Sequence, residues 1–320
     1  MTQRHAPFHS WRIFGMTLVL WAIASCDHQP LVVGIHPWIG YEPLYLAQEF
    51  GWLPERVRLR AGESVSDSLA GLQQGELDAA ALTLDEVFRL RAQGINMTVI
   101  AVLDVSAGSD VLMVKPDTTS LDRLAGQRIA VEFHSVSELM LLKILEQAGL
   151  RREDVQLVDL PVDAQYRAWQ SSEIDAVVTY EPTASRLEHL GAVRLFDSRQ
   201  LPDLIFDVLA VRQDRITGRA ASLRELVAAH FQGLKHMQSN RYDALYRIAT
   251  RQGITLEEAQ RALAGVSFPN EQGNRLYLQP HSRLHRAGTE LQKFLASVSL
   301  LPETQQDNDW YEARFLPSDE

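Results

Sequence analysis

The stretch Gly34-Ile35-His36-Pro37-Trp38-Ile39-Gly40-Tyr41-Glu42-Pro43-Leu44 joins the first apolar run of the chain to its first predicted helix. Pro43 fits the first turn of that helix, where a missing N–H loses no helical acceptor. Trp38 and Tyr41 present flat apolar faces in the connecting loop. Two interpretations are open: the loop forms one wall of a small-molecule site, or the two rings fill the core of an ordinary strand-to-helix corner.

Short apolar runs recur along the chain, and most are followed by a loop and an amphipathic segment. Runs this short and continuous are typical of strands that are covered on both faces. The alternation predicts an α/β fold built from βαβ units with parallel sheets. After the last run the pattern becomes nearly continuous helix, and we expect these late helices to pack on the first part of the chain. The runs span residues 31–35, 57–60, 78–82, 97–103, 111–115, 128–132, 155–160, 175–180, 193–196 and 207–211.

Helix starts are marked by the Ser/Thr-x-x-Glu pattern of a capping box, which begins at Thr83, Ser135, Ser222 and Thr255. In parallel α/β sheets, ligands bind beyond the carboxyl ends of the strands, where loops lead into helices. The loops at these junctions therefore supply the candidate ligand-binding residues. They are Trp38, Tyr41, Thr83, Asp85, Ser135, Ser137, Tyr180 and Glu181.

The hydroxyl groups of Ser135 and Ser137 and the backbone N–H groups at this helix start suit an oxygen-rich or anionic group. Capping of the helix is the alternative role, and the two roles can coexist. The candidate loops contain no Arg or Lys but several acids, and acids beside aromatic rings favour a neutral or cationic ligand such as an amine or an aminopyrimidine. The acids are Glu42, Asp85, Glu86, Asp104, Asp110, Glu132 and Glu181.

No motif for catalysis or for a cofactor is found. His36 and His134 lie near acids, but nothing at regular ligand spacing supports a metal site. The sequence has no Gly-rich phosphate loop, nucleophile elbow or paired-carboxylate motif. We therefore expect a protein that is not an enzyme and that holds neither a metal nor a cofactor.

The first 25 residues predict a secretory signal, with Arg4 and Arg12, no acid, and an apolar stretch too short to span a membrane comfortably. Ile23-Ala24-Ser25-Cys26 resembles the lipobox of bacterial lipoproteins, and Cys26 is the single cysteine of the chain. Lipidation of Cys26 would anchor the protein to the periplasmic side of the cell membrane. Removal of residues 1–25 changes the formal charge from −10 to −12. This acidity excludes a nucleic-acid partner, which would require clustered Lys and Arg.

Four stretches, in this order and spacing, resemble solute-binding proteins of the nitrate, sulfonate, taurine and thiamine-precursor ABC transporters. The resemblance covers about residues 31–215. The stretches are Pro37-Trp38-Ile39-Gly40-Tyr41-Glu42-Pro43-Leu44, Gly75-Glu76-Leu77-Asp78-Ala79-Ala80, Leu124-Ala125-Gly126-Gln127-Arg128-Ile129-Ala130-Val131 and Ile174-Asp175-Ala176-Val177-Val178-Thr179-Tyr180-Glu181-Pro182.

The resemblance implies a two-lobed periplasmic-binding-protein fold of type II, with two crossover segments and a solute held between the lobes. We expect a signal peptide at 1–25, a lipidated tether at 26–30, a discontinuous first lobe at 31–112 and 209–320, and a second lobe at 113–208. Crossover segments are expected at 110–116 and 207–211. Hinge closure of a monomer around its solute would present the closed form to an ABC permease in the inner membrane.

The resemblance leaves the solute open within this transporter class. The absence of a basic residue from the loops favours the thiamine-precursor side, although backbone N–H groups alone can hold an oxyanion. Two other functions stay open at this point. One is a sensing lipoprotein that is read by a membrane receptor, and the other is an enzyme that makes a pyrimidine precursor.

Overall fold

The computed structural model describes residues 1–2, 30–302 and 309–318. The predicted signal peptide, the lipidation site Cys26 and all but the last residue of the predicted tether lie outside these residues. Within the described ranges, no helix is both long enough and apolar enough to cross a membrane.

The described strands form two separate sheets. The first sheet has the order β11-β4-β10-β3-β1-β2 and the second the order β7-β6-β8-β5-β9. In chain order the strands are Leu31–Ile35 (β1), Val57–Ala61 (β2), Ala79–Thr83 (β3), Met97–Ser106 (β4), Asp110–Val114 (β5), Arg128–Val131 (β6), Gln156–Asp159 (β7), Ala176–Tyr180 (β8), Val193–Asp197 (β9), Phe206–Arg212 (β10) and Val266–Ser267 (β11).

Every predicted run is a strand, but the prediction of parallel sheets is wrong for several of them. β1 pairs in parallel with β2 and β3, and β6 pairs in parallel with β7 and β8. By contrast, β10 runs antiparallel to β3 and β4, and β5 runs antiparallel to β8 and β9. The reason is that β5 follows β4 without a helix and enters the other sheet, so both sheets are mixed.

The chain changes sheet twice, at residues 107–109 between β4 and β5 and at 198–205 between β9 and β10. The segments expected to cross over lie just after these positions: β5 belongs wholly to the second sheet and β10 wholly to the first. The division into lobes at 112/113 and 208/209 stays a prediction.

Helices cover both sheets. Three of them have the expected starts: Pro43 lies in the first turn of α1, Glu86 accepts the Thr83 N–H at 2.7 Å, and Thr255 forms a complete capping box. The described helices are Glu42–Glu49 (α1), Val65–Gln73 (α2), Leu84–Ala92 (α3), Val136–Ala148 (α4), Val162–Gln170 (α5), Thr183–Glu188 (α6), Ala220–Ser239 (α7), Arg241–Gln252 (α8), Leu256–Ala264 (α9), Glu271–Tyr277 (α10) and Arg283–Ser297 (α11).

Two of the expected capping boxes are absent. Ser135 caps α4 through a bond from the Ser137 N–H, but Glu138 accepts from His134 instead of completing the box. Ser222 lies inside α7, which begins two residues earlier at Ala220. The local pattern fits a cap at both positions, but the surrounding packing fixes where each helix starts.

The late helices pack on the first sheet, as expected. α7 lies against α1 so closely that a Cβ at Gly233 would meet the carbonyl oxygen of Pro43 at 2.0 Å. α11 contacts α3, and near this contact the ring of Trp310 meets Phe88 edge to face at 5.2 Å. One large apolar core therefore holds the first sheet and these helices, whereas the second sheet has a core on each of its two faces.

Candidate functional site

A cavity lies where strand ends of the two sheets meet. Its volume is about 10 Å³, the space of about one water molecule. The walls come from the ends of β1, β3 and β8, the starts of β5 and β10, and the first residues of α2 and α4. The lining residues are His36, Trp38, Tyr41, Val65, Thr83, Glu86, Asp110, Ser135, Val136, Tyr180 and Asp207.

Five of the eight residues predicted from the sequence line this cavity: Trp38, Tyr41, Thr83, Ser135 and Tyr180. Asp85, Ser137 and Glu181 lie outside its lining. Contact between any of the eight and a solute stays a prediction.

The three residues outside the lining are all buried. Asp85 accepts from the Thr83 hydroxyl at 2.7 Å and pairs with Arg89. Glu181 accepts from the Ser185 N–H at 3.1 Å and pairs with Arg194. These internal partners give both carboxylates a structural role.

Aromatic rings from both sheets meet at the cavity. Trp38 and Tyr180 pack edge to face with centroids 5.5 Å apart, and His36 packs against Tyr41 in the same way at 5.1 Å. Trp38, Tyr41 and Tyr180 also belong to the apolar core of the first sheet. The two interpretations of the opening loop therefore coexist, because the same rings fill the core and line the cavity.

A pair of carboxyl groups lies behind these rings, where Asp104 of β4 and Asp207 of β10 are neighbours in the sheet. The Trp38 indole N–H donates to Asp104 Oδ2 at 3.3 Å, and the Tyr41 hydroxyl donates to Asp207 Oδ1 at 2.8 Å. Gly40 makes room for the pair, since a Cβ there would lie 2.0 Å from Asp104 Oδ2.

Burial dominates the electrostatics of the cavity, because it disfavours the charged form of each acid. It raises the pKa of Asp104 to about 8, and burial together with the Asp104 charge raises the pKa of Asp207 well above its usual range. Burial also raises the pKa of Asp110 to about 7, helped by the Asp85 charge. The imidazole of His36 is affected oppositely, and burial lowers its pKa to about 4. At neutral pH the site therefore holds a neutral histidine and carboxyl groups that retain protons.

One oxygen of Asp110 is buried without a hydrogen-bond partner among the described residues, whereas the carboxyl groups of Asp104 and Asp207 are hydrogen-bonded to each other through a retained proton. A buried acceptor left unpaired is costly, and a ligand with N–H donors would satisfy it. Asp110 lines the cavity, so this oxygen is available to such a ligand.

Asp207 is not among the residues predicted from the sequence, because it begins an apolar run, whereas the candidates lie where runs end. β10 is antiparallel to β3, so its first residues lie beside the last residues of β3, with Asp207 opposite Thr83. Asp110 reaches the cavity in the same way, opposite Tyr180. The sequence signal that could have identified both residues is an acid at the first position of an apolar run.

Polar contacts join the two sheets around the cavity. The hydroxyls of Ser64 and Ser66 on the α2 side both donate to Glu132 at the end of β6, at 2.8 and 2.6 Å. Arg89 of α3 pairs with Glu138 of α4 at 3.0 Å. Among the described residues, no group of three or more His, Cys, Asp or Glu side chains is arranged to hold a metal ion.

Two mixed sheets that the chain crosses twice, with a polar cavity between their strand ends, define a periplasmic-binding-protein fold. The chain belongs to the NMT1-like family, whose model matches residues 25–249.

Two relatives from Escherichia coli are named as binding proteins. The taurine-binding periplasmic protein is 31% identical over 175 residues, which are 52% of this chain and 52% of that protein. The match thus spans about half the length of that relative. A putative aliphatic sulfonates-binding protein is 28% identical over 254 residues, covering 78% of this chain and 72% of the relative.

Solved structures agree on the fold. The alkanesulfonate-binding protein of Xanthomonas axonopodis, bound to MOPS, superposes with a TM-score of 0.73 and 19% identity over 86% of this chain and 95% of that one. A structure described as the desulfurization enzyme DSZB superposes with a TM-score of 0.64 and 19% identity over 90% and 97% of the two chains. The fold is therefore found both in binding proteins and in an enzyme.

Proposed function

We propose that this chain is the solute-binding component of an ABC importer of the sulfonate, taurine and nitrate class. Its family membership and the names of its two E. coli relatives support this function. The cavity between the two sheets is the place where a solute would be held, since ligand sites of α/β proteins lie at the ends of strands.

The solute that suits this cavity is a small amine or another organic cation, including an aminopyrimidine. The observation that carries this proposal is the unpartnered buried oxygen of Asp110 in the lining, with Asp207 and the rings of Trp38 and Tyr180 beside it. Carboxyl oxygens accept from the N–H groups of such a solute, and aromatic faces attract cations. Arg and Lys are absent from the lining residues.

Capture would work by a shift between open and closed forms. A solute larger than the present cavity enters when the sheets separate about the crossovers at 107–109 and 198–205. It then favours closure through contacts with both sheets. The closed monomer delivers the solute to its permease, and a lipid on Cys26 raises the concentration of the protein at the membrane.

An enzymatic role is the alternative that the DSZB neighbour suggests. It predicts that the solute is chemically changed.

A thermal-shift screen of the purified protein tests the solute class. We expect amines or aminopyrimidines to raise the melting temperature and to be recovered unchanged by mass spectrometry. Trp38→Ala should remove most of the shift, because the ring faces the cavity. Trp52→Ala is the matched control, since its ring stacks on Phe50 and packs edge to face against His236 instead. Shifts produced by sulfonates or nitrate alone would contradict the cationic class, and a converted solute would establish the enzyme instead.

Fractionation of cells tests the lipid anchor. We expect wild-type protein in washed membranes and the Cys26→Ser variant in the soluble periplasmic fraction, because the substitution removes the thiol that carries the lipid. Retention of the variant in washed membranes would refute the proposed anchor.

A further inference from the structure

Glu86 belongs to α3 of the first sheet, yet its carboxyl group reaches the first residue of α4 on the second sheet. Its Oε2 accepts the N–H of Thr83 at 2.7 Å, and its Oε1 accepts the N–H of Val136 at 3.3 Å. The side chain is buried, with 1% of its surface exposed. One carboxyl group therefore caps its own helix and also contacts the helix across the cavity.

The start of α4 has the chemistry of an anion site. The first N–H groups of a helix carry partial positive charge and lack partners in the helix itself. Here the Ser137 N–H is taken by Ser135 Oγ, which leaves the Val136 N–H for an acceptor from outside the helix. The Ser137 hydroxyl is also buried, with no partner among the described residues.

The start of α4 faces the solute cavity, because Ser135 and Val136 line it. Glu86 of α3 lines the same cavity. An oxygen of a sulfonate or nitrate bound at the Val136 N–H would occupy the volume of the Glu86 carboxyl group. The neighbouring cation on α3, Arg89, pairs with Asp85 and Glu138 and does not line the cavity. The position that would hold an external oxyanion is thus filled by a group of the chain itself.

We propose that Glu86 is a specificity-determining residue, which fills the oxyanion position at the start of α4 and so excludes sulfonate and nitrate groups from it. This inference rests on the proposed function, because it assigns the selectivity of the same cavity. A solute then binds through its cationic part, against Asp110 and Asp207.

Calorimetric titration with ethanesulfonate, which has a sulfonate but no amine, tests this inference. Glu86→Ala vacates the Val136 N–H, and we expect at least about tenfold tighter binding than in the wild type. Glu86→Ser is the second variant, for use if loss of the cap on Thr83 prevents the Ala variant from folding. Circular dichroism establishes that each variant is folded.

Glu132→Gln is the matched control. It replaces the carboxyl group of another buried acid that joins the two sheets, through Ser64 and Ser66, but it leaves the Glu86–Val136 contact in place. We expect its affinity for ethanesulfonate to equal that of the wild type. Equal gains in the Glu132 and Glu86 variants would overturn the inference, because the effect would then come from the loss of any buried carboxyl group between the sheets or from looser closure.

Two further outcomes separate this inference from the proposed function. If the wild type binds ethanesulfonate as tightly as the Glu86→Ala variant does, the role of Glu86 is refuted. The proposal that the chain is a solute-binding protein would still stand. Folded Glu86 variants that do not bind ethanesulfonate, beside a wild type that binds an amine, would refute the role of Glu86 as well. If the wild type binds nothing in the screen but Glu86→Ala gains ethanesulfonate, the proposed function fails and the role of Glu86 stands.

Discussion

Tyr41 contributes to the stability of the cavity wall as well as to its shape. Its hydroxyl donates to Asp207 at 2.8 Å, and both side chains are buried. Tyr41→Phe keeps the ring but removes the donor to Asp207 Oδ1, which is then left buried without this hydrogen bond. We expect the free energy of unfolding to fall by about 1–3 kcal/mol, as measured by urea denaturation at neutral pH.

The control for this prediction is Tyr242→Phe, because Tyr242 is 90% exposed and its hydroxyl faces water. Its effect should stay within about 0.5 kcal/mol. Losses of the same size in both variants would show that the Tyr41–Asp207 bond contributes nothing specific.

At the scale of single residues, the sequence identifies those that follow a strand but not those that precede one. Trp38, Tyr41 and Tyr180 are predicted because they lie at or just after the ends of apolar runs. Asp207 is not, because its position in the cavity depends on the direction of β10. The direction of a strand is set by its pairing across the sheet, and the local pattern of apolar residues does not indicate it.

At the scale of elements, α3 and α4 are joined by a buried ion-pair group. Arg89 contacts Asp85 on its own helix at 3.3 Å and Glu138 on α4 at 3.0 Å, and the three side chains are at most 7% exposed. Arg89→Met keeps an apolar chain of similar length but leaves two buried acids without this cation. We expect a loss of about 3–5 kcal/mol in the free energy of unfolding, measured with urea.

Arg60→Met provides the comparison, because the Arg60–Glu76 pair is about half exposed on both sides. Exposed pairs contribute up to about 1 kcal/mol, so this variant should unfold close to the wild type. Similar losses in the two variants would contradict a special role of Arg89 in joining the sheets.

Element positions could be predicted well because most strands are short apolar runs, and the prediction of β1 matches its bounds to the residue. The order and direction of the strands could not. The step from β4 into β5 uses residues 107–109 alone, without a helix, and so breaks the βαβ rule from which parallel pairing was inferred. β11 was missed because two residues are too few to form a pattern.

At the scale of the whole molecule, the buried acids make stability depend on pH in an unusual direction. Asp104, Asp110 and Glu86 have pKa values raised by burial to about 8, 7 and 8, against about 4 in an unfolded chain. At pH values between the unfolded and the folded pKa of each acid, the folded protein binds a proton that the unfolded chain does not. The free energy of unfolding therefore falls as pH rises.

Two buried histidines oppose this trend, but at lower pH. Burial lowers the pKa of His36 to about 4 and that of His230 to about 3, against about 6.5 in the unfolded chain. Their unfolded forms bind the extra proton below about pH 6.5, so they raise stability as pH rises to that value. Above it they are neutral in both states, and the acids alone decide the slope.

We therefore expect urea denaturation to show a free energy of unfolding that decreases from about pH 6.5 to about pH 8, by about 1.4 kcal/mol per pH unit for each proton retained in the folded state. Asp104→Asn should reduce this slope, because an amide has no proton to lose in this range while it can still accept from Trp38. Asp117→Asn, at an exposed position, should leave the slope unchanged. Stability that is constant or rises over this window would mean that the acids are already ionised in the folded protein. The cavity would then hold fixed negative charge at neutral pH and attract a cationic solute without first releasing protons.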